Sequence, residues 1–85
     1  MSYSIRIKRS AAKELRRLPA EARSRLVQAI DRLADEPLAG SALKGEFSGL
    51  RRLRVGGYRI IYEAIHGELV VLVVRVGHRG AVYRQ

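Results

Sequence analysis

The chain has 85 residues and a formal charge of +9, from 17 Lys and Arg against 8 Asp and Glu. A chain this short buries only about 60% of its unfolded surface, which admits one small domain, residues 1–85, and excludes a second domain or a deep enclosed cofactor cavity. The absence of cysteine excludes a disulfide framework, thiolate catalysis and Cys-ligated metal or iron–sulfur sites.

Residues 3 to 8 set Tyr3, Ile5 and Ile7 against Ser4, Arg6 and Lys8, the period-two signature of a strand with one buried face. This alternation is unlike the apolar stretch of a secretory signal, and no run approaches the roughly 18 apolar residues of a membrane span. The expectation is a cytoplasmic protein with no membrane partner. Ser10 offers an N-cap for a short helix over 10–18, which Pro19 interrupts. From Pro19 the apolar residues Ala22, Leu26, Ala29, Ile30 and Leu33 recur on one helical face, and Pro37 ends that second helix within a residue or two of Glu36. Arg16, Arg17, Arg23, Arg25 and Arg32 fall on the outward side of the two helices, where charge is ordinarily solvated.

Residues 37–49, with Pro37, Gly40, Gly45 and Gly49, read as a connecting loop. Strands are predicted over 50–55, 58–65 and 69–76, joined by two-residue hairpin turns at Gly56-Gly57 and around His66-Gly67. The order β-α-α-β-β-β defines an α+β two-layer sandwich, an antiparallel meander with the two N-terminal helices packed on one face.

A two-residue turn at Gly56-Gly57 pairs Val55 with Tyr58, Arg54 with Arg59, Leu53 with Ile60, Arg52 with Ile61 and Arg51 with Tyr62. Leu53, Val55, Tyr58, Ile60 and Tyr62 then pack under the helices, and the other face gathers Arg52, Arg54 and Arg59 beside Ile61 and Glu63. Like charges opposite one another across a strand pair cost on the order of a few tenths of a kcal/mol to about 1 kcal/mol. A bound phosphate would offset that cost. Fourteen of the 17 cations are arginine, whose planar fork pairs bidentately with phosphate, so nucleic acid is the expected polyanion. The run Leu69–Val76 is apolar at nearly every position, so it reads as a central strand covered on both faces, with a parity that periodicity cannot fix. With helices on one side only, the far face is expected to form a shallow groove or to be covered by a separate chain.

The two histidines stand twelve residues apart without Cys or an Asp cluster, so no metal site is expected. Gly56-Gly57 has neither the spacing nor the following helix of a phosphate loop.

Leu43-Lys44-Gly45, Arg52-Leu53-Arg54-Val55-Gly56-Gly57-Tyr58-Arg59-Ile60-Ile61-Tyr62, Val76-Gly77-His78-Arg79 and Val82-Tyr83, taken in this order, resemble a RelE/ParE-superfamily toxin. The resemblance spans nearly the whole chain, including Ala12-Lys13-Glu14-Leu15 and Leu18-Pro19. It implies a cofactor-free toxin of a type II toxin–antitoxin system that, in the RelE branch, cleaves messenger RNA in the ribosomal A site without metal. It also implies hetero-oligomers with a cognate antitoxin; the +9 charge and the uncovered sheet face predict that an acidic, partly disordered segment of that partner folds around Ile61 and against the arginines. By the same resemblance Arg52, Arg59, Arg79 and Tyr83 are catalytic; the residues expected to bind RNA are Lys44, Arg51, Arg54 and His78. Leu50 stands where a second basic residue is expected. The ParE branch shares the fold and poisons DNA gyrase instead; retention of Arg59, Arg79 and Tyr83 together favours RelE, and a non-catalytic basic RNA-binding module is the third alternative.

Overall fold

The sheet that carries the arginines has two edges, and the N-terminal strand forms one of them. In the computed structural model, which describes residues 2–78, β1 (Ser4–Ile7) is followed by α1 (Arg9–Arg16), α2 (Ala20–Arg32), β2 (Ser41–Ala42), β3 (Arg51–Val55), β4 (Tyr58–Ile65) and β5 (Val70–His78). The strands lie in the order β1-β5-β4-β3-β2. β1 runs parallel to β5, pairing Ser4 with Val70 and Ile7 with Val73, and the other neighbours are antiparallel. No helix among the described residues is long and apolar enough to cross a membrane.

α1 begins one residue before Ser10, which lies inside the helix and does not cap it. The sheet sets this boundary: Lys8 donates its N–H to the Val73 carbonyl at 2.9 Å, and its own carbonyl accepts the Ala12 N–H at 2.9 Å. Lys8 is therefore both the last ladder residue and the N-cap. α2 starts after Pro19 and ends at Arg32, short of Glu36. Beyond Arg32 the chain tightens into turns, with Ala34 N–H on Asp31 and Asp35 N–H on Arg32. The Ala34 carbonyl accepts the Tyr3 N–H at 2.7 Å, which ties this end of the helical layer to β1.

The predicted loop 37–49 holds two pieces of regular structure, the two-residue β2 and a single 3₁₀ turn, Gly45–Phe47. The β3–β4 hairpin has the expected register at all five pairs, with Gly56 at φ +61° in the turn. The second connection differs from expectation. Ile65 pairs with Val70, so residues 66–69 form a four-residue link in which Leu69 N–H reaches the His66 carbonyl. Leu69, at φ +55°, is outside β5.

Between β4 and β5 the pairing shifts from Tyr62↔Val73 to Ile61↔Arg75, leaving Val74 as the extra residue of a bulge. The bulge lets Val71, Val73 and Val76 all face the helices, where they meet Ala11, Leu15, Leu26, Ile30 and Leu33 together with Ile60 and Tyr62. Leu53, Val55 and Tyr58 pack at the margin of this core. The face assignment read from the hairpin therefore holds.

Candidate nucleic-acid interface

The far face of the sheet is ordered by two cross-strand rows. One runs Arg54–Arg59–Gly77 and the other Arg52–Ile61–Arg75. With strands about 4.8 Å apart, the Arg52, Arg54 and Arg59 side chains rise from one small area. Arg54 is exposed, and Arg52 and Arg59 are half-buried. Gly77 places no side chain beside Arg59 from β5. Such an array of fixed guanidinium donors suits the oxygens of a phosphodiester, which it can approach bidentately without displacing a proton.

Ile61, at the centre of the far face, is only 2% exposed. The expectation of open apolar surface around it is therefore corrected. Its neighbours across the ladder are Arg52 and Arg75, long side chains whose methylene stems suit covering an isoleucine while their charged ends stay in water.

Arg75 and its partner Glu14 were not legible from sequence as part of this region. β1 ends at Ile7, so among the described residues no strand lies beside the outer edge of β5 beyond Val73. Glu14 of α1 supplies the missing acceptors: Oε1 takes the Val76 N–H at 3.0 Å, and Oε2 takes Arg75 Nε at 3.1 Å, with Nη2 also at 3.1 Å. By register Arg75 belongs to the face of Arg52, yet its guanidinium is drawn to the strand edge.

Other nominated residues lie apart from the arginine rows. Arg51 shares the parity of Leu53 and points to the helix-bearing side, where Nε donates to the Gly40 carbonyl at 2.9 Å and Nη2 to the Leu38 carbonyl at 3.3 Å. It clamps the 38–40 segment. The same segment is held by Tyr62, whose hydroxyl donates to the Pro37 carbonyl and accepts the Gly40 N–H, each at 2.9 Å. His78, opposite Tyr58, meets that ring edge-on at 4.7 Å on the helix-bearing side, separated from the arginines. Lys44 is exposed in the connection just before the 3₁₀ turn. His66 accepts or donates through Nδ1 to the Tyr3 hydroxyl at 2.7 Å, joining β1 to the 66–69 link. Arg79 and Tyr83 lie outside the described residues. Among the described residues no three His, Asp or Glu side chains converge as a metal-binding group.

Comparison with known proteins agrees with this architecture. The family model for the ParE toxin of type II toxin–antitoxin systems matches residues 5–83. The toxin RelG of Mycobacterium tuberculosis is 33% identical over 87 residues, covering 100% of both chains. The mRNA interferase toxin RelE of Escherichia coli K12 is 31% identical over 81 residues, covering 93% of this chain and 85% of its own. Among solved structures, the toxin–antitoxin complex RelBE2 of Mycobacterium tuberculosis superposes with a TM-score of 0.86 at 32% identity, covering 93% of this chain and 100% of the matched one. A doubly substituted Escherichia coli RelE in the free state gives 0.79 at 30% identity, with 95% and 87% covered. A two-helix layer on one face of the sheet, an arginine-bearing opposite face and relatives that match along the whole chain place this protein in the RelE/ParE superfamily of type II toxin–antitoxin toxins, in its RelE-like branch.

Proposed function

We propose that this toxin is a ribosome-dependent endoribonuclease that cleaves messenger RNA in the A site. The observation that carries the reading is the placement of Arg54 directly across from Arg59, with Arg52 beside them on the same face. This like-charge arrangement is stabilised when a phosphate lies over it. Cleavage proceeds by attack of a 2′-hydroxyl on its adjacent phosphate. The O–P bond to the 2′-oxygen forms as the bond to the 5′-oxygen breaks, and negative charge builds on the non-bridging oxygens between these events. Arg52 and Arg59 stabilise that charge without a metal and Arg54 holds the neighbouring backbone; Arg79 and Tyr83, outside the described residues, are given catalytic roles by the family resemblance alone. Guanidinium stays protonated at ordinary pH, so the 2′-hydroxyl proton goes to another acceptor, and the leaving 5′-oxygen takes up a proton from solvent to become the 5′-hydroxyl.

Primer extension on translated messenger, with purified toxin and ribosomes, tests the reading. Cuts confined to the A-site codon are expected. Growth arrest with intact transcripts and accumulating broken DNA would instead assign gyrase as the target, the activity of the ParE branch.

The partner is a cognate antitoxin bound in a hetero-oligomer, as in the solved RelB–RelE complexes of Escherichia coli and Pyrococcus horikoshii. A charge of +9 favours an acidic segment of that antitoxin, disordered when free, that lies against the arginine rows and blocks them.

A further inference from the structure

Transfer of the 2′-hydroxyl proton needs an acceptor, and the sheet carries one beside the arginine rows. Glu63 alternates on β4 with Arg59 and Ile61, so all three belong to the far face. Among the described residues it is the one carboxylate that the strands set there. The positions sharing this face on β1, β2, β3 and β5 are cationic, apolar, serine or glycine. His78 stands on the opposite side of the sheet, against Tyr58.

The row Arg6–Leu72–Glu63 runs next to the row Arg75–Ile61–Arg52. Arg52, opposite Ile61, is therefore diagonal to Glu63 on one side and to Arg59 on the other. Such diagonal neighbours stand about 7–8 Å apart at Cα, within reach of long side chains. Ile61 and Leu72 make the ground beside Glu63 apolar. Arg75, diagonal to Glu63 on β5, is bonded to Glu14, and Arg6 lies two strands away beyond Leu72. Among the described residues the half-buried Glu63 side chain enters no hydrogen bond or ion pair. Its carboxylate thus keeps its acceptor capacity for a ligand, with Arg52 and Arg6 as the charges that face it.

We propose that Glu63 is the general base of the cleavage step, a role that rests on the ribonuclease reading above and supplies the proton acceptor it requires. A phosphate held between Arg52 and Arg59 lies to one side of Arg52, and Glu63 lies to the other. A ribose extending from that phosphate toward Leu72 therefore brings its 2′-hydroxyl to the carboxylate. One carboxylate oxygen takes the proton as the bond from the 2′-oxygen to phosphorus forms and the bond to the 5′-oxygen breaks. The leaving 5′-oxygen is protonated from solvent and Glu63 returns its proton to solvent, so no co-reactant is consumed.

The test is single-turnover cleavage of messenger on ribosomes by the wild type, Glu63→Gln and Glu63→Asp. Gln keeps the size and the half-buried packing of Glu63, so the thermal midpoint and the ribosome affinity should match the wild type while the cleavage rate falls by about 10²- to 10⁴-fold. Between about pH 6 and 9 the wild-type rate should stay level, whereas the Gln variant, left to hydroxide, should climb about tenfold per pH unit. Asp keeps a carboxylate, so it should keep the level profile and part of the rate. A Gln variant that is slow but level with pH is the mark of a residue that only positions Arg52, and that result overturns the proposal. A wild type that cuts messenger beside an equally active Gln variant removes this role and leaves the ribonuclease reading standing. A wild type that binds ribosomes and leaves messenger intact removes both.

Discussion

A Cβ at Gly40 would lie 2.7 Å from the Arg52 carbonyl oxygen and 2.9 Å from both the ring edge and the hydroxyl of Tyr62, distances at which backbone or a core ring has to move. Gly40→Ala is accordingly expected to lower stability by about 1–3 kcal/mol, as overpacking commonly does, with the loss read from urea denaturation. Gly40, whose N–H is held by the Tyr62 hydroxyl, thus lies where the core ring and the Arg52 backbone leave no room for a side chain. Arg59 is expected to behave oppositely. Arg59→Ala removes a half-buried cation from the far face and no part of the helix-side core, so the fold should persist while the cleavage rate falls by about 10²- to 10³-fold. A ribosomal cleavage assay run beside a thermal melt checks both halves of this statement.

At the level of strands and helices, Glu14 is the residue that lets β5 outrun β1. Glu14→Ala leaves the Val76 N–H without its acceptor and the Arg75 guanidinium without its carboxylate. A loss of about 1–3 kcal/mol is expected, at the lower end because both side chains are about 30% exposed. Faster amide exchange confined to Val76 and its neighbours would locate the effect. Ile60→Ala, at a site with 0% exposure, is expected to be costlier, about 2–5 kcal/mol by calorimetry or denaturant titration. Leu53→Ala should cost less, because Leu53 is only half-buried. These elements also divide what was legible from what was not. The β3–β4 register followed from a two-residue glycine turn between alternating segments, and with it came the grouping of Arg52, Arg54 and Arg59. The β5 bulge left no trace, because a run of valines offers no apolar–polar contrast to betray a change of face. For the same reason His78 could not be assigned a side, and it lies with Tyr58. Arg51 looked like one more cation of the series, and only the folded 38–40 segment gives it two carbonyls to bind. β2 is too short to carry a periodic signal.

Over the whole molecule, positive charge is spread on both the helical and the sheet sides, whereas the apolar residues meet between them. Association with the antitoxin should therefore be steered by long-range attraction and weaken as salt screens it. Calorimetric titration with the product of the adjacent reading frame at two ionic strengths is expected to show this, together with competition between antitoxin and messenger RNA. Antitoxin and RNA bound at once without competition would show that the acidic segment docks elsewhere.

The parallel pairing of β1 with β5 has a consequence in time. Ser4 finds its partner only in Val70, 66 residues later, and Ile7 waits for Val73. Local helices and the β3–β4 hairpin can form early, but a contact of such sequence separation closes a long loop and comes late. During synthesis β1 has no partner strand in the sheet to join until β5 has been made. The strand that completes that sheet also runs beside Arg59. A nascent copy thus lacks a finished arginine face until β5 has been made, and the lateness of one strand delays assembly of the toxin's sheet.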